Sequence, residues 1–544
     1  MLRIATRNSN VNGLAGALIR ELWPQSEQQP GSATAQGNCG QDTYSITYLY
    51  IPSLTGGDGM IPDLSDAAYR FQHLAQNKCS KLVVLSSALI YGTGPGRQAL
   101  VSEEDSVPRQ RAHSISHAWQ ALENLAAQYF DGHTEVTILR PVTVVPSEAW
   151  LSRLLCRRFV LTLPGHDVNL QLLSVSDLAQ AIRCVLACNR PGIFNVSPDR
   201  VVPMHSAIRI AGSNRLSIPR TLLRLAKRAD TLDYLRYPWT VSNRKIKQEL
   251  GFLPAKTSLM ALLEARNCTI NPATAEPDFD EFGMDRSYIQ LYSKTLFKFL
   301  SDYYWRTEEI GLENVPKSGR GLLVGMHRGF MPWDGVMALH LLVRKIGRYP
   351  RFLVHPGLLK FPFLANFMIK LGGVIACQQS AERILSSGEL LGVFPEGIHG
   401  AFTRYRDAYR LQSFGRDSFV KIALQHRAPI VPFVTVGSAE IFPILAKIRS
   451  KMWNRYADWP CIPVTPTFPL LPIPLPSKWH TRFLPPIHVE RAYPPDAAND
   501  RSVVKAISRE VQWKMQQAID EMLSRRRSVF FGSLFESENA REGH

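Results

Sequence analysis

The stretch RNCTINPATAEPDFDEFGMDR, residues 266–286, divides the chain: it holds two prolines and packs five acids into ten positions. Such a sequence suits a connection better than a core element. The chain has 544 residues, more than one hydrophobic core serves, so two or three domains are expected. Residues 266–287 therefore read as an acidic linker between one domain at 1–265 and another at 288–532, with a polar tail at 533–544. On the N-terminal side KLVVLSS (81–87), EVTILRP (135–141) and GIFNVS (192–197) are short runs of buried-strand type, while SDLAQAIRCVLA and NRKIKQELG have helical periodicity. The C-terminal side repeats the alternation, with GRGLLVGM, ELLGVFPEG and APIVPFVTVG as strands and a proline-studded stretch WPCIPVTPTFPLLPIPLP. It closes with the amphipathic helix RSVVKAISREVQWKMQQAIDEMLSRRR. Strands alternating with helices predict an α/β fold with parallel sheets in both halves.

Lys and Arg number 63 against 46 Asp and Glu, a formal charge of +17. Such an excess suits an anionic partner, such as a phospholipid surface or a phosphorylated carrier. Nucleic acid is not expected, because there is no zinc-finger spacing, no RNP-like run and no basic stripe with interleaved aromatics. The eight cysteines are scattered without CxxC pairs. Cys184 and Cys188 share a helical face and read as core residues; no metal site is expected, and a reducing cytoplasm fits. The N-terminus MLRIATRNSNVNG lacks a signal-peptide core, and no long unbroken apolar run occurs. The expected location is cytoplasmic, peripherally associated with the inner face of a membrane. HPGLLKFPFLANFMIKLGG (355–373) suits a segment in the headgroup region, with a core helix as the rival reading. SRRRS (524–528) reads as a solvated charge run.

The order VVLSSALIYG, TILRPVTVV, LLSVSDLAQAI, GIFNVS and QELGFLPAKTSLMALL resembles the extended short-chain dehydrogenase/reductase family of NAD-dependent epimerases and dehydratases, over nearly all of 1–265. The resemblance implies a Rossmann-like doubly wound parallel sheet. It places Ser86 and Ser87 in the family's catalytic Ser/Thr region and Asp177 at a helix start. It also implies an NAD(P) site, which the residues do not furnish. His113 and His117 occupy the spacing of the family's Tyr-x-x-x-Lys pair, and no lysine occurs between Lys81 and Lys227. A G-x-x-G-x-x-G turn works because only glycine lets backbone approach a pyrophosphate. Here the best register puts Ser9, Asn12 and Ala15 at those positions, with Gly13 and Gly16 displaced by one. The expectation is a scaffold or ligand-sensing fold without redox turnover, NAD(P) binding being left unsupported.

In the second half, LLVGMHRGFMPWDG (322–335) sets His327 seven positions ahead of Asp334 across a Gly and a Pro. A neutral imidazole can accept the proton of an alcohol that attacks a thioester. A carboxylate on its other nitrogen fixes the tautomer and steadies the imidazolium. Pro332 suits the first turn of the helix PWDGVMALHLLVRK, with Asp334 in the opening turn and His327 on the loop that reaches it. The blocks LGGVIAC, VFPEGIHG and APIVPF follow in order. Together the four resemble the lysophospholipid/glycerolipid acyltransferase superfamily over roughly 288–530, and within it the mono- and diacylglycerol acyltransferase branch. The resemblance implies an α/β acyltransferase domain with His327 as general base and Asp334 as its orienter. Phe394, Pro395, Glu396, Gly397 and His399 would belong to the acceptor-binding block. Members that take phosphate acceptors carry Arg where this chain has His399, and their second block ends in Arg where this chain has Cys377. Arginine forks are the natural grip for phosphate. Their loss favours an acceptor such as a mono- or diacylglycerol, while Arg404, Arg406, Arg410 and Arg416 keep a charged acceptor open.

The expected activity is transfer of a fatty acyl group from acyl-CoA, or from an acyl carrier protein as alternative donor, to a hydroxyl of a lipid acceptor at a membrane surface. No cofactor is required for it. Two other readings stand beside it: NAD(P)-dependent epimerase or oxidoreductase activity in the first half, and a non-catalytic lipid-binding protein.

Overall fold

The computed structural model describes residues 2–5, 13–22, 47–55, 60–76, 79–94, 100–105, 107, 114–130, 134–147, 149–155, 157–188, 190–218, 233–237, 239–266, 280, 282–415, 417–450, 453, 459–468 and 473–535. The chain divides into two units, Met1–Gly283 and Met284–His544. Most of the expected linker, and 536–544 of the expected tail, lie outside the described residues.

In the first unit the apolar runs form strands β1 (Leu2–Ala5), β2 (Thr47–Tyr50), β3 (Lys81–Leu85), β4 (Glu135–Pro141) and β5 (Gly192–Val196), which pair in that order, all parallel. Helices α1 (Leu14–Leu22) and α4 (Val175–Ala187) pack together, as do α2 (Leu64–Gln76) and α3 (Ile115–Tyr129). The middle strand is buried from end to end, as a parallel sheet covered on both faces requires. The unit is thus a Rossmann-like α/β sandwich. Asp177 is buried in the first turn of α4, where its carboxylate accepts the N–H groups of Ala255 and Lys256 at 2.9 and 3.1 Å. Among the described residues the strands follow chain order.

The second unit opens with α5 (Arg286–Lys294), N-capped by Asp285, and α6 (Leu296–Phe299). Its strands are β6 (Glu308–Ile310), β7 (Gly321–Gly325), β8 (Arg351–Val354), β9 (Gly373–Ile375), β10 (Leu390–Val393), β11 (Ile430–Val436) and β12 (His480–Phe483). In the sheet they run β6-β12-β11-β7-β10-β8-β9, parallel except for β12 against β11 among the described strands. The central strand β7 and its neighbours β10 and β11 are buried throughout. After β7 comes α7 (Trp333–Ile346), which has Asp334 in its first turn, Arg344 and Lys345 in its last, and Gly347 at φ 69° as its left-handed stop. That is the charge order and cap a helix dipole and C-terminus favour. The 355–373 segment forms helix α8 (Pro362–Lys370), which packs in part on the core. Leu358 and Met368 are buried and Leu364 and Phe367 pack on the core, while Phe363 stands out at 75% exposure. In SRRRS, at the end of α9 (Arg501–Arg525), Ser524, Arg525 and Arg527 are exposed and Arg526 turns inward. The Arg526 side chain is 7% exposed, paired with Glu440 and donating to the Tyr409 hydroxyl at 3.2 Å.

Candidate active site

His327 lies just past the C-terminal end of β7, and Glu396 just past that of its neighbour β10. This is the end of a parallel sheet where sites gather. For His327 to meet Asp334 the loop between them must double back. Gly329 and Phe330 do this with φ of 71° and 40°, natural for a glycine and strained for a bulky residue. Phe330 is held there by its N–H on the Ala401 carbonyl at 2.9 Å and by the rings of Phe442 and Phe468, 5.0 and 4.9 Å away. Pro332 caps the helix rather than lying in its first turn, and α7 begins at Trp333.

The result is Nδ1 of His327 3.0 Å from Oδ2 of Asp334. The same oxygen accepts the Arg328 N–H at 2.8 Å. Asp334 is 2% exposed, and its position at the start of α7 gives its negative charge the favourable end of the helix dipole. With Nδ1 turned to the carboxylate, Nε2 is the nitrogen left for substrate, and His327 lines a cavity of about 860 Å³. Phe394 packs on the imidazole with ring centres 5.3 Å apart and is itself stacked on Phe352 at 5.6 Å.

Arg328, unmarked in the sequence, is the site's second fixed point. It is 1% exposed and grips both oxygens of Glu396, Nη1 to Oε2 at 2.7 Å and Nη2 to Oε1 at 3.0 Å. The Gln412 N–H adds a bond to Oε1 at 2.6 Å. Arg328 spends its remaining donors on carbonyls, among them those of His327, Ala408 and Arg410. Glu396 therefore lines the cavity with its carboxylate already committed. Its expected place among acceptor-binding groups becomes a positional one, tying the VFPEG block to the loop that carries His327. Adjacency to the histidine is the one sequence signal for Arg328, and nothing in the spacing pairs it with a carboxylate 68 residues away.

Phe394, Pro395, Gly397, His399 and Cys377 also line the cavity. Gly397, at φ 59°, turns the chain from β10 into a short helix, Gly397–Ala401. No lysine or arginine lines the cavity among the described residues. Arg404 and Arg410 are exposed and outside that lining, Arg406 reaches Asp407 at 3.1 Å, and Arg416 is outside the described residues.

Ser9, Asn12 and His113 lie outside the described residues, Ala15 is buried in α1, and His117 is exposed on α3. At the C-terminal ends of β3 to β5 there is instead a closed polar network. Glu123 accepts from Arg140 at 2.9 and 2.7 Å and from the Ser86 hydroxyl at 2.5 Å. Arg140 reaches the Tyr91 hydroxyl at 2.8 Å, which donates to Asn195 at 2.9 Å. Burial pushes the Tyr91 phenol up despite Arg140 beside it. Ser86 is thus committed to Glu123, and no step is assigned to a dinucleotide.

Residues 306–436 match the acyltransferase family, and both His327 and Asp334 fall within that match. An uncharacterised protein of Mycobacterium tuberculosis is 38% identical over 268 residues, 48% of this chain and 73% of that protein. One of Mycobacterium leprae is 39% identical over 266 residues, 48% of this chain and 71% of its own length. A Bos taurus protein, the DGAT1/2-independent enzyme synthesizing storage lipids, is 25% identical over 168 residues, 30% of this chain and 50% of that one. Among solved structures, UDP-glucuronic acid 4-epimerase from Bacillus cereus with NAD aligns with a TM-score of 0.31 and 13% identity, covering 41% of this chain and 73% of that one. dTDP-glucose 4,6-dehydratase from Bacillus anthracis with NAD aligns with a TM-score of 0.32 and 16% identity, covering 41% and 71%. The first unit's fold rests on its own strand pairing rather than on these scores. The chain belongs to the acyltransferase family.

Proposed function

We propose that the second unit moves a fatty acyl group from an acyl thioester, acyl-CoA or acyl carrier protein, to the hydroxyl of a lipid. His327 is the general base and Asp334 its orienter. The observation that carries this reading is the 3.0 Å contact between His327 Nδ1 and Asp334 Oδ2 beside a cavity of about 860 Å³. The alcohol oxygen attacks the thioester carbonyl as its proton passes to Nε2. The tetrahedral carbon then expels the sulfur, which takes that proton and leaves as the thiol. The carboxylate steadies the imidazolium that exists between these steps.

A lining without lysine or arginine among the described residues supports an uncharged acceptor, a mono- or diacylglycerol. A phosphate monoester carries about −1.5 to −2 at neutral pH and would meet no lysine or arginine of that described lining. The positive surplus of +17 supports work at the cytoplasmic face of an anionic membrane. No helix among the described residues is long and apolar enough to cross one. No observation favours a redox role for the first unit.

The test is incubation of the purified chain with labelled acyl-CoA, or acylated carrier protein, and a total lipid extract. Label entering a neutral glycerolipid is the expected result. No labelled lipid from either donor would leave a lipid-binding role in its place.

A further inference from the structure

Four large exposed apolar side chains crowd one short segment of the second unit: Leu291 at 59%, Leu296 at 40%, Phe299 at 52% and Tyr303 at 69%. They belong to α5, α6 and the turn of helix at Leu300–Tyr304. The same segment turns Ile289, Phe297 and Leu300 into the core, so it is apolar on its solvent side as well. A helix that needs only one buried face puts polar groups on the other. The rings of Phe299 and Tyr303 lie 6.3 Å apart and nearly parallel. Lys294 and Lys298 stand exposed among these side chains. The segment's acid, Asp302, is already paired with Arg344 at 2.5 Å. Helix α8 packs beside α5 through Phe367, whose ring lies 6.5 and 5.8 Å from those of Tyr288 and Tyr292. That helix carries exposed Phe363 and also supplies Met368 to the cavity wall.

We propose that this face, Leu291, Leu296, Phe299 and Tyr303 with Lys294 and Lys298, docks the second unit on an anionic phospholipid bilayer. The apolar side chains enter the boundary of headgroups and acyl chains while the ammonium groups meet lipid phosphates. Charge decides the occupant. A second copy of the chain would set the same lysines against each other, and an anionic bilayer complements them. The proposal rests on the acyl-transfer reading for its purpose: lipid held at this face lies beside the helix that walls the cavity.

The experiment is sedimentation of the full-length chain with phosphatidylcholine vesicles, with and without phosphatidylserine, at rising salt. The wild-type chain should partition onto anionic vesicles and release with salt. Leu291→Glu with Phe299→Glu should lower partitioning at least about tenfold, and Lys294→Ala with Lys298→Ala about fivefold per lysine on anionic vesicles alone. All variants should keep the wild-type Tm, since the changed side chains are exposed. Undiminished binding by the Leu291→Glu/Phe299→Glu chain would overturn the proposal. So would failure of the wild type to bind, or a lipid-free dimer that this substitution dissolves. Vesicle binding with the expected losses, alongside no acyl transfer from any donor, would keep the docking face and remove the catalytic reading.

Discussion

Arg328 and Glu396 are buried charges that satisfy each other through two hydrogen bonds. Removing one partner of such a pair strands the other's charge, at about 3–5 kcal/mol. Glu396→Gln is therefore expected to lower the unfolding free energy by about that much in denaturant titration, and a loss under about 1 kcal/mol would mean that Arg328 finds another counter-charge. The sequence marks Glu396 by its block but not its job, because a carboxylate at a strand exit reads the same whether it faces substrate or a partner side chain. Cavity charge gives a second expectation at this scale. His399→Arg together with Cys377→Arg places two guanidinium groups at lining positions that now carry none. Charge-assisted bonds contribute about 1.5–3 kcal/mol each, so transfer to lysophosphatidate relative to monoacylglycerol should rise at least about tenfold. An unchanged ratio would place the acceptor's head away from these two positions.

Strand β7 and the loop after it set the geometry of the pair. A Cβ on Gly325 would lie 2.3 Å from the Phe433 ring and 2.8 Å from that of Phe394, the ring that packs on His327. Gly325→Ala should cost about 1–3 kcal/mol of overpacking and lower turnover as Phe394 shifts. A variant with wild-type Tm and turnover would show that these rings yield freely. The strands themselves were legible because their apolar runs are short and bounded, and α7 because its apolar positions, acidic start and basic end agree. The loop was not. That His327 and Asp334 can meet depends on two left-handed residues, one of them Phe330, and no sequence rule assigns that conformation to phenylalanine. The 355–373 segment was ambiguous for another reason: Leu358 and Met368 wall a cavity, and a cavity wall has the same composition as a lipid-facing helix.

At the scale of the whole molecule, two histidines among the described residues, His340 and His480, are buried where the fold favours their neutral form. Burial, then Arg344, pushes His340 down from its ordinary 6.5 to about 4, and neither of its ring nitrogens has a hydrogen-bond partner. Burial likewise pushes His480 down to about 4. As pH falls, the unfolded chain takes up these protons first, so stability is full above about pH 6.5 and is lost progressively toward pH 4, by up to about 1.4 kcal/mol per pH unit for each histidine. His340→Leu should flatten the fall of Tm with acidification in that window; an unchanged slope would show that His340 is protonated in the fold. The two α/β halves were legible because each alternates short apolar strand runs with helical segments, although Phe282 and Met284 of the seam between them are buried. The pairing order of the described strands was not legible, since it leaves no trace in their spacing. The account depends most on His327 as the proton acceptor. Its most direct test is steady-state acyl transfer by His327→Ala in the purified full-length chain, with its Tm confirming the fold. Turnover is predicted to fall by about 10²–10⁴-fold with KM little changed, and turnover within about threefold of wild type would contradict it.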